Sequence, residues 1–455
     1  MNRKIWKALG IAVCMLALAA PRAMAETHSH MVSNDGILKQ AIKAINNSSD
    51  DNANEIILTS GFTLEGDTTE YTLKRGTTTI KGEGNTITVN PGAGIKVTGE
   101  KTVLNLGANG YDKKLTIEGD TGVAFITVSG EATANMYENV TLQNRQQVDQ
   151  ACVVLEENSV FNMHGGVIQN CKGKYGGVSL KNGSRFIMEG GTISECEANA
   201  GGGLYADNST VTITGGTISG CKVGAGGGLF ATNSSKITIR GGTISECSTT
   251  LDSGKGGGLY AENSTITISG GTIENNEAAR GGGVALTDST VKKDEKPIRN
   301  WTVVGNKAYK TGGGIWLGEK VEWDISDRTK QIYNNQAIEQ GADIFLEGGT
   351  SAITLPIAAN MGANYRNSGI KIDNWYKDDN PRYTPSENGQ VVEANKLLNG
   401  GLSLVASYKA SPVRIEIDTN GGVGGSSSQT VQKGTNVTLE APTKEGHLFK
   451  GWKDE

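Results

Sequence analysis

The chain has 455 residues, of which 64 are Gly and 8 are Pro, with 36% apolar and 5% aromatic side chains and 6 Cys. Gly at about twice its usual share, without matching Pro, excludes collagen, and the apolar content excludes a wholly disordered chain, a coiled coil or a disulfide-dense miniprotein. The formal charge is −5, which makes the chain a poor candidate for holding nucleic acid, whose phosphates need a basic surface.

The first element is an export signal. Arg3, Lys4 and Lys7 give a basic start, Ala8 to Ala20 an apolar stretch, and Ala23-Met24-Ala25 a small-residue exit, so residues 1–25 read as a signal peptide cleaved after Ala25. The apolar stretch is too short to span a bilayer, so no transmembrane helix is expected in the mature chain. Removal of this segment leaves 39 basic and 48 acidic residues, a charge of −9.

Residues 26–54 form the expected N-terminal cap. Ile37, Leu38, Ala41, Ile42 and Ile45 fall at helical spacing behind the N-cap candidates Ser33 and Asn34. Residues 55–349 are read as one solenoid. From 55 to 150 the strands are weak, as in Thr77 to Ile80 and Thr86 to Val89, and add three or four coils.

From 151 the period is plain. Gly201-Gly202-Gly203-Leu204-Tyr205-Ala206 recurs at 226, 256, 281, 312 and, weakly, 341, with degenerate copies at 151 and 176, at intervals of 25 to 31 residues. A second phrase, Thr212-Ile213-Thr214-Gly215-Gly216-Thr217-Ile218-Ser219, is interleaved with it. Each unit holds three short alternating pieces broken at turn signals, with Val211, Ile213 and Ile218 on one side and Thr212, Thr214 and Ser219 on the other. One unit cannot bury its apolar side alone, but units stacked strand on strand can, so the chain is expected to be all-β, a parallel β-solenoid rising about 4.8 Å per coil. Eight such coils span 151 to about 349.

In a solenoid, equivalent positions stack, so chemistry is read in columns. Cys171, Cys196, Cys221 and Cys247 share one slot, which passes to Asn276, Asn306 and Asn335. Neighbouring Cα atoms about 4.8 Å apart permit disulfides between adjacent coils, and the plainer reading is a structural ladder filling a turn. With Cys152 in another slot the mature chain has an odd number of thiols, so they cannot all pair within it. One column does not converge four ligands, so no metal site is expected. A second column holds Tyr205, Phe230, Tyr260, Trp316 and Phe345, interrupted by Ala285. Flanked by inward Leu204 and Ala206, it is expected to face outward, where exposed rings would suit sugar binding; the structural alternative is that the rings stack on one another. Asn158, Asn208, Asn233, Asn263 and Asp288 recur before Ser as a turn ladder.

Residues 350–411 lose the period and are expected to cap or link the last coil as irregular loops and strands. From 412 a new register begins, with a strand at Arg414 to Asp418, a turn at Thr419 to Gly422 and a second strand at Asn436 to Leu439.

Two resemblances add to this reading. The Gly-Gly-x-Ile and Gly-Gly-Gly-Leu-Tyr phrases over about 150 to 350 resemble those of right-handed parallel β-helix proteins of the pectate-lyase-like fold, closest to repeat-rich surface proteins and polymorphic outer-membrane adhesins. The Asp418-Thr419-Asn420-Gly421-Gly422 turn and the Glu445 to Trp452 ending resemble the internalin-type B repeat, a small β-grasp-like module, here incomplete at Glu455. The resemblances imply the handedness, and an exported bacterial surface or secreted protein acting as a non-catalytic adhesin or stalk. Its partner would be a polysaccharide, a host glycoprotein or a cell-wall polymer. The alternative is a polysaccharide lyase or hydrolase of the same fold. His164, Glu189, Thr214, Arg240 and Ser269 share an outward column without an acidic pair in adjacent coils, and no cofactor motif is present, so no catalytic residue and no cofactor is assigned.

Overall fold

The computed structural model describes residues 27–48, 53–119, 122–146, 150–249, 252–294, 301–325, 330–348 and 350–355, with shorter stretches between 370 and 447. They form a right-handed parallel β-solenoid of about 12 turns. A strand that the sequence reading did not place begins it. β1 (Thr27–Val32) comes before the cap helix α1 (Asp35–Asn47) and pairs in parallel with β2 (Ala53–Leu58), so the helix crosses over between two strands of the stack. Asn34 caps the helix, its side chain accepting from the Ile37 amide at 3.0 Å, and Leu38, Ala41, Ile42 and Ile45 close the first coil.

The coils stack in register. In one column Val178, Leu204, Leu229, Leu259, Val284, Ile315 and Ile344 lie side by side; in another, Phe186, Val211, Ile237 and Ile266 do so. All are buried, and one continuous apolar core runs from Val32 to Leu404. A mature coil has four short strands rather than three: Leu204–Asp207, Thr210–Ile213, Thr217–Ser219 and Lys222–Ala225 make one. The fourth strand has little apolar alternation of its own, and the ladder bonds of its neighbours define it.

Turn chemistry explains the polar spacing. Asn158, Asn208, Asn233, Asn263 and Asp288 all have positive φ, between 45° and 59°, which Asn and Asp tolerate better than other side chains. A buried polar row there is made by serines one or two residues further on. Ser159, Ser184, Ser209, Ser235, Ser264 and Ser289 are buried, and the Ser209 and Ser264 amides donate to the Ser235 and Ser289 hydroxyls at 3.1 and 3.2 Å.

Beyond the last parallel strand of the first face, Ile344–Leu346, the strand Leu402–Ala410 lies antiparallel to it and Ile370–Lys377 antiparallel to that. These two cover a sheet edge that would otherwise remain open to further pairing. In the tail, Pro412–Ile415 pairs antiparallel with Gln429–Gln432; most of the strand expected at 436 to 439, with residues 433–438, and the Phe449 to Trp452 ending are outside the described residues.

Candidate functional site

The cysteine column lies inside the solenoid, not in a surface turn. Cys171, Cys196, Cys221 and Cys247 are at most 1% exposed. The residue before each is held at positive φ: Asn170, Glu195, Gly220 and Glu246. That bend turns the next side chain inward, against the glycines of the triple phrase; the Cys221 and Cys247 sulfurs sit under Gly203 and Gly228. The disulfide does not join adjacent coils. It links Cys152 to Cys171 across one coil, with Cα atoms 6.0 Å apart, while Cys196, Cys221 and Cys247 are free thiols. Burial, and then the neighbouring Cys221 thiol, push the Cys247 thiol up, so it stays protonated and unreactive at neutral pH. Thiol titration of the denatured mature protein should therefore find three reactive groups without reductant and five with it; five in both cases would remove the disulfide.

The same slot has polar ends. Arg145 pairs with Cys171 in register, is fully buried, and donates to the carbonyls of Val123, Gln150 and Lys172. At the other end Asn276 donates its amide and its side chain to Asn306 Oδ1 at 3.0 and 2.9 Å, Asn306 does the same to Asn335 Oδ1, and Asn335 to the buried Asp343. This column is a structural spine.

The ring column corrects the expectation of an open platform. Tyr205, Phe230, Tyr260, Ala285, Trp316 and Phe345 are register neighbours; all but Tyr205 belong to a cluster separate from the main core, and Tyr205 is not part of that core either, so the column does point outward. Yet Tyr205, Tyr260 and Trp316 are only 8%, 6% and 2% exposed. The rings cover each other: Phe230 stacks on Tyr260 at 4.9 Å, and Tyr175, which lies outside the column in sequence, stacks on Tyr205 at 4.1 Å. Lys255 bridges the gap at Ala285, its ammonium 5.6 Å from the Tyr260 ring and 4.8 Å from the Trp316 ring. Burial, followed by the hydrogen bond to Glu262, raises the Tyr260 hydroxyl above its ordinary value and keeps it neutral. Lys174 and Lys181 lie over Tyr175. Phe230, Phe345 and Tyr175 remain half-exposed. The result is an outer stripe of partly exposed rings with ammonium groups over Tyr175, Tyr260 and Trp316.

The other outward column also gains a partner from far along the chain. His164 Nδ1 lies 2.7 Å from Glu189, and Tyr137 stacks on the imidazole. Arg240 holds Asp294 through Nε and Nη2 at 2.7 and 3.0 Å, and Ser269 donates to the same carboxylate at 2.6 Å. Asp294 lies beside a cleft of about 370 Å³ lined by Lys292, Lys320, Glu322, Trp323 and Asp324 among others. Lys255 and Asp294 both lie where the interval between repeats lengthens to 30 residues (226 to 256) and 31 residues (281 to 312), a signal visible in the sequence that does not specify their contacts.

Comparison with known proteins agrees with the architecture. Residues 151–337 match the family model described as right handed beta helix region, and residues 415–455 match the Listeria-Bacteroides repeat domain. The chain thus joins a right-handed β-helix to a bacterial repeat of the kind its tail resembles. No curated protein and no solved structure matches it. Among the described residues no helix is long and apolar enough to cross a membrane.

Proposed function

We propose that this is an exported bacterial protein, at the cell surface or secreted, whose β-helix is a non-catalytic adhesive shaft for an acidic polysaccharide or glycoprotein glycan. Its β-helix and its bacterial repeat are both typical of extracellular proteins. The observation that carries the reading is the outer stripe, a column of rings in which Tyr175, Phe230 and Phe345 stay partly exposed, with the ammonium groups of Lys174 and Lys181 over Tyr175 and that of Lys255 over Tyr260 and Trp316. Apolar edges suit the hydrophobic faces of sugars, and ammonium groups suit their carboxylates or sulfates. In-register stacking supplies the rigidity that a shaft needs.

The test is a glycan array. Acidic glycans should bind, and Lys174→Gln with Lys181→Gln should weaken binding several-fold while leaving the circular dichroism unchanged, because both side chains lie outside the core. Undiminished binding would remove the stripe from the reading. The wild-type rings are poor targets for this purpose. Ala at Tyr205, Tyr260 and Trp316 together would remove buried packing and lower stability as well as binding.

The rival polysaccharide-modifying enzyme is favoured by one observation, the gathering of Arg240, Asp294 and Ser269 beside the charged cleft. Release of shortened or unsaturated sugars from any bound glycan would select the enzyme.

A further inference from the structure

A rung of the ladder is missing beside the charged cleft. The strand Thr290–Val291 pairs with the coil before it, and the strand Glu322–Asp324 pairs with Ala352–Thr354 in the coil after it. Among the described residues no ladder joins these two strands to each other. Just ahead of the break the coils are still pinned, the Gly318 amide donating to the Leu286 carbonyl at 2.8 Å and the Asp288 amide to the Glu319 carbonyl at 2.7 Å. Past those bonds the ladder opens, and the cleft of about 370 Å³ lies there. Its size falls within the range of small-ligand sites, about 300–1,000 Å³.

The break leaves main-chain groups facing the gap. The Thr290 and Lys292 amides donate to the Ser264 and Ile266 carbonyls of the coil before, at 2.9 and 2.8 Å, and the Val321 carbonyl accepts from the Ala352 amide of the coil after, at 2.9 Å. Main-chain groups along a parallel strand alternate between its two neighbours, so Val291 and Glu322, the residues in between, turn theirs toward the opening. The charges around the cleft are mostly matched. Arg240 holds Asp294, whose side chain is only 3% exposed, Lys293 Nζ lies 2.7 Å from Asp324, and Lys320 Nζ lies 2.8 Å from Asp288. Two lining groups of opposite sign are left over. Lys292 and Glu322 take part in no ion pair or side-chain hydrogen bond among the described residues.

We propose that this cleft binds a short zwitterionic peptide. The peptide carboxylate meets the Lys292 ammonium, its own ammonium meets the Glu322 carboxylate, and its main chain bonds to the open strand edges at Val291 and Glu322. The mode is strand addition reduced to about two or three residues. Charge complementarity selects the ligand: an acidic sugar would satisfy Lys292 and leave Glu322 without a cation, whereas a zwitterion answers both. The site uses no ring of the outer stripe and neither Lys174 nor Lys181, so it is independent of the glycan reading.

The experiment titrates the full chain with trialanine at neutral pH by calorimetry, since this peptide carries charge only at its two ends. Trialanine should saturate a single site, and capping either end should weaken it several-fold. Lys292→Gln should weaken trialanine several-fold and leave trialanine amide, which has no carboxylate, unchanged. Glu322→Gln should weaken trialanine and leave N-acetyl-trialanine, which has no ammonium, unchanged. Both side chains are exposed, so the circular dichroism of the variants should match that of the native protein. Neither variant should alter the binding of acidic glycans, which keeps this test separate from that of the stripe. Equal binding of the doubly capped peptide, trialanine binding indifferent to both substitutions, or no saturable binding of trialanine would overturn the site. So would an acidic glycan whose binding depends on Lys292 and not on Glu322.

Discussion

Gly203→Val should destabilise the solenoid by on the order of 3–5 kcal/mol, read as a lower urea midpoint, with loss of the cooperative transition in the central coils. A Cβ at Gly203 would stand 2.6 Å from the Gly228 carbonyl oxygen and 2.6 Å from Ile218 Cγ2. That carbonyl cannot retreat, because it accepts the amides of both Gly203 and Leu204, at 3.1 and 2.9 Å. The coil above would have to lift, and every coil beyond it is positioned by that contact. Gly122→Ala is the matched control. Its Cβ would meet nothing within 4 Å, so the change should fall within about 0.5 kcal/mol of neutral. Equal effects at the two positions would mean that the triple-glycine phrase is not a packing surface.

Asn306→Leu should cost on the order of 3 kcal/mol, although leucine is more apolar and branches at the same atom. Asn306 Oδ1 accepts both the Asn276 amide and the Asn276 side chain, and all three groups are sealed from water. Leucine would orphan those two donors, each costing about 1–3 kcal/mol when buried without a partner. It would also leave the Ile273 and Val304 carbonyls and Asn335 Oδ1 without a donor that they now use. Asn208→Gly, at an exposed turn with φ of 47°, should instead change stability by a few tenths of a kcal/mol, because glycine accepts that backbone conformation. Thermal and urea denaturation of the two variants side by side separate a spine residue from a turn residue of the same type.

The stacked architecture was legible because each coil buries its apolar side only against its neighbours, so the same residue types must return at each level. Leu204, Leu229 and Leu259 repeat for that reason. The cap helix was legible from Leu38, Ala41, Ile42 and Ile45, whose spacing matches one buried face. β1 was not, because Thr27 to Val32 is a single polar strand that belongs to no repeat and is defined by its pairing with β2. The fourth strand of each coil escaped for a related reason. Glu197–Ala200 has no apolar alternation, and its bonds to the coils on either side make it a strand.

The sites were less legible than the shaft. The column logic placed Tyr205, Tyr260 and Trp316 outside the core, but direction is not exposure. Tyr175 and Lys255 approach from other parts of their coils and cover those rings. The Cys152–Cys171 bond runs across a coil, a direction that column reading does not inspect. Asp294 reaches Arg240 from 54 residues away, through a loop whose length is visible in the sequence but whose path is not.

The solenoid is built on direct stacking of residues about two dozen positions apart. Asn105, Asn135, Asn162, Ile187, Thr212, Thr238 and Thr267 are successive register partners on one outward column. Spin labels at Asn105→Cys and Thr267→Cys, attached to the native protein whose own free thiols are buried, should lie about 29 Å apart, from six steps of roughly 4.8 Å. Moving the second label back to Thr212 should shorten the distance by about 10 Å. A separation that does not change in equal steps from coil to coil would contradict the solenoid, and with it the ring stripe and the buried spine.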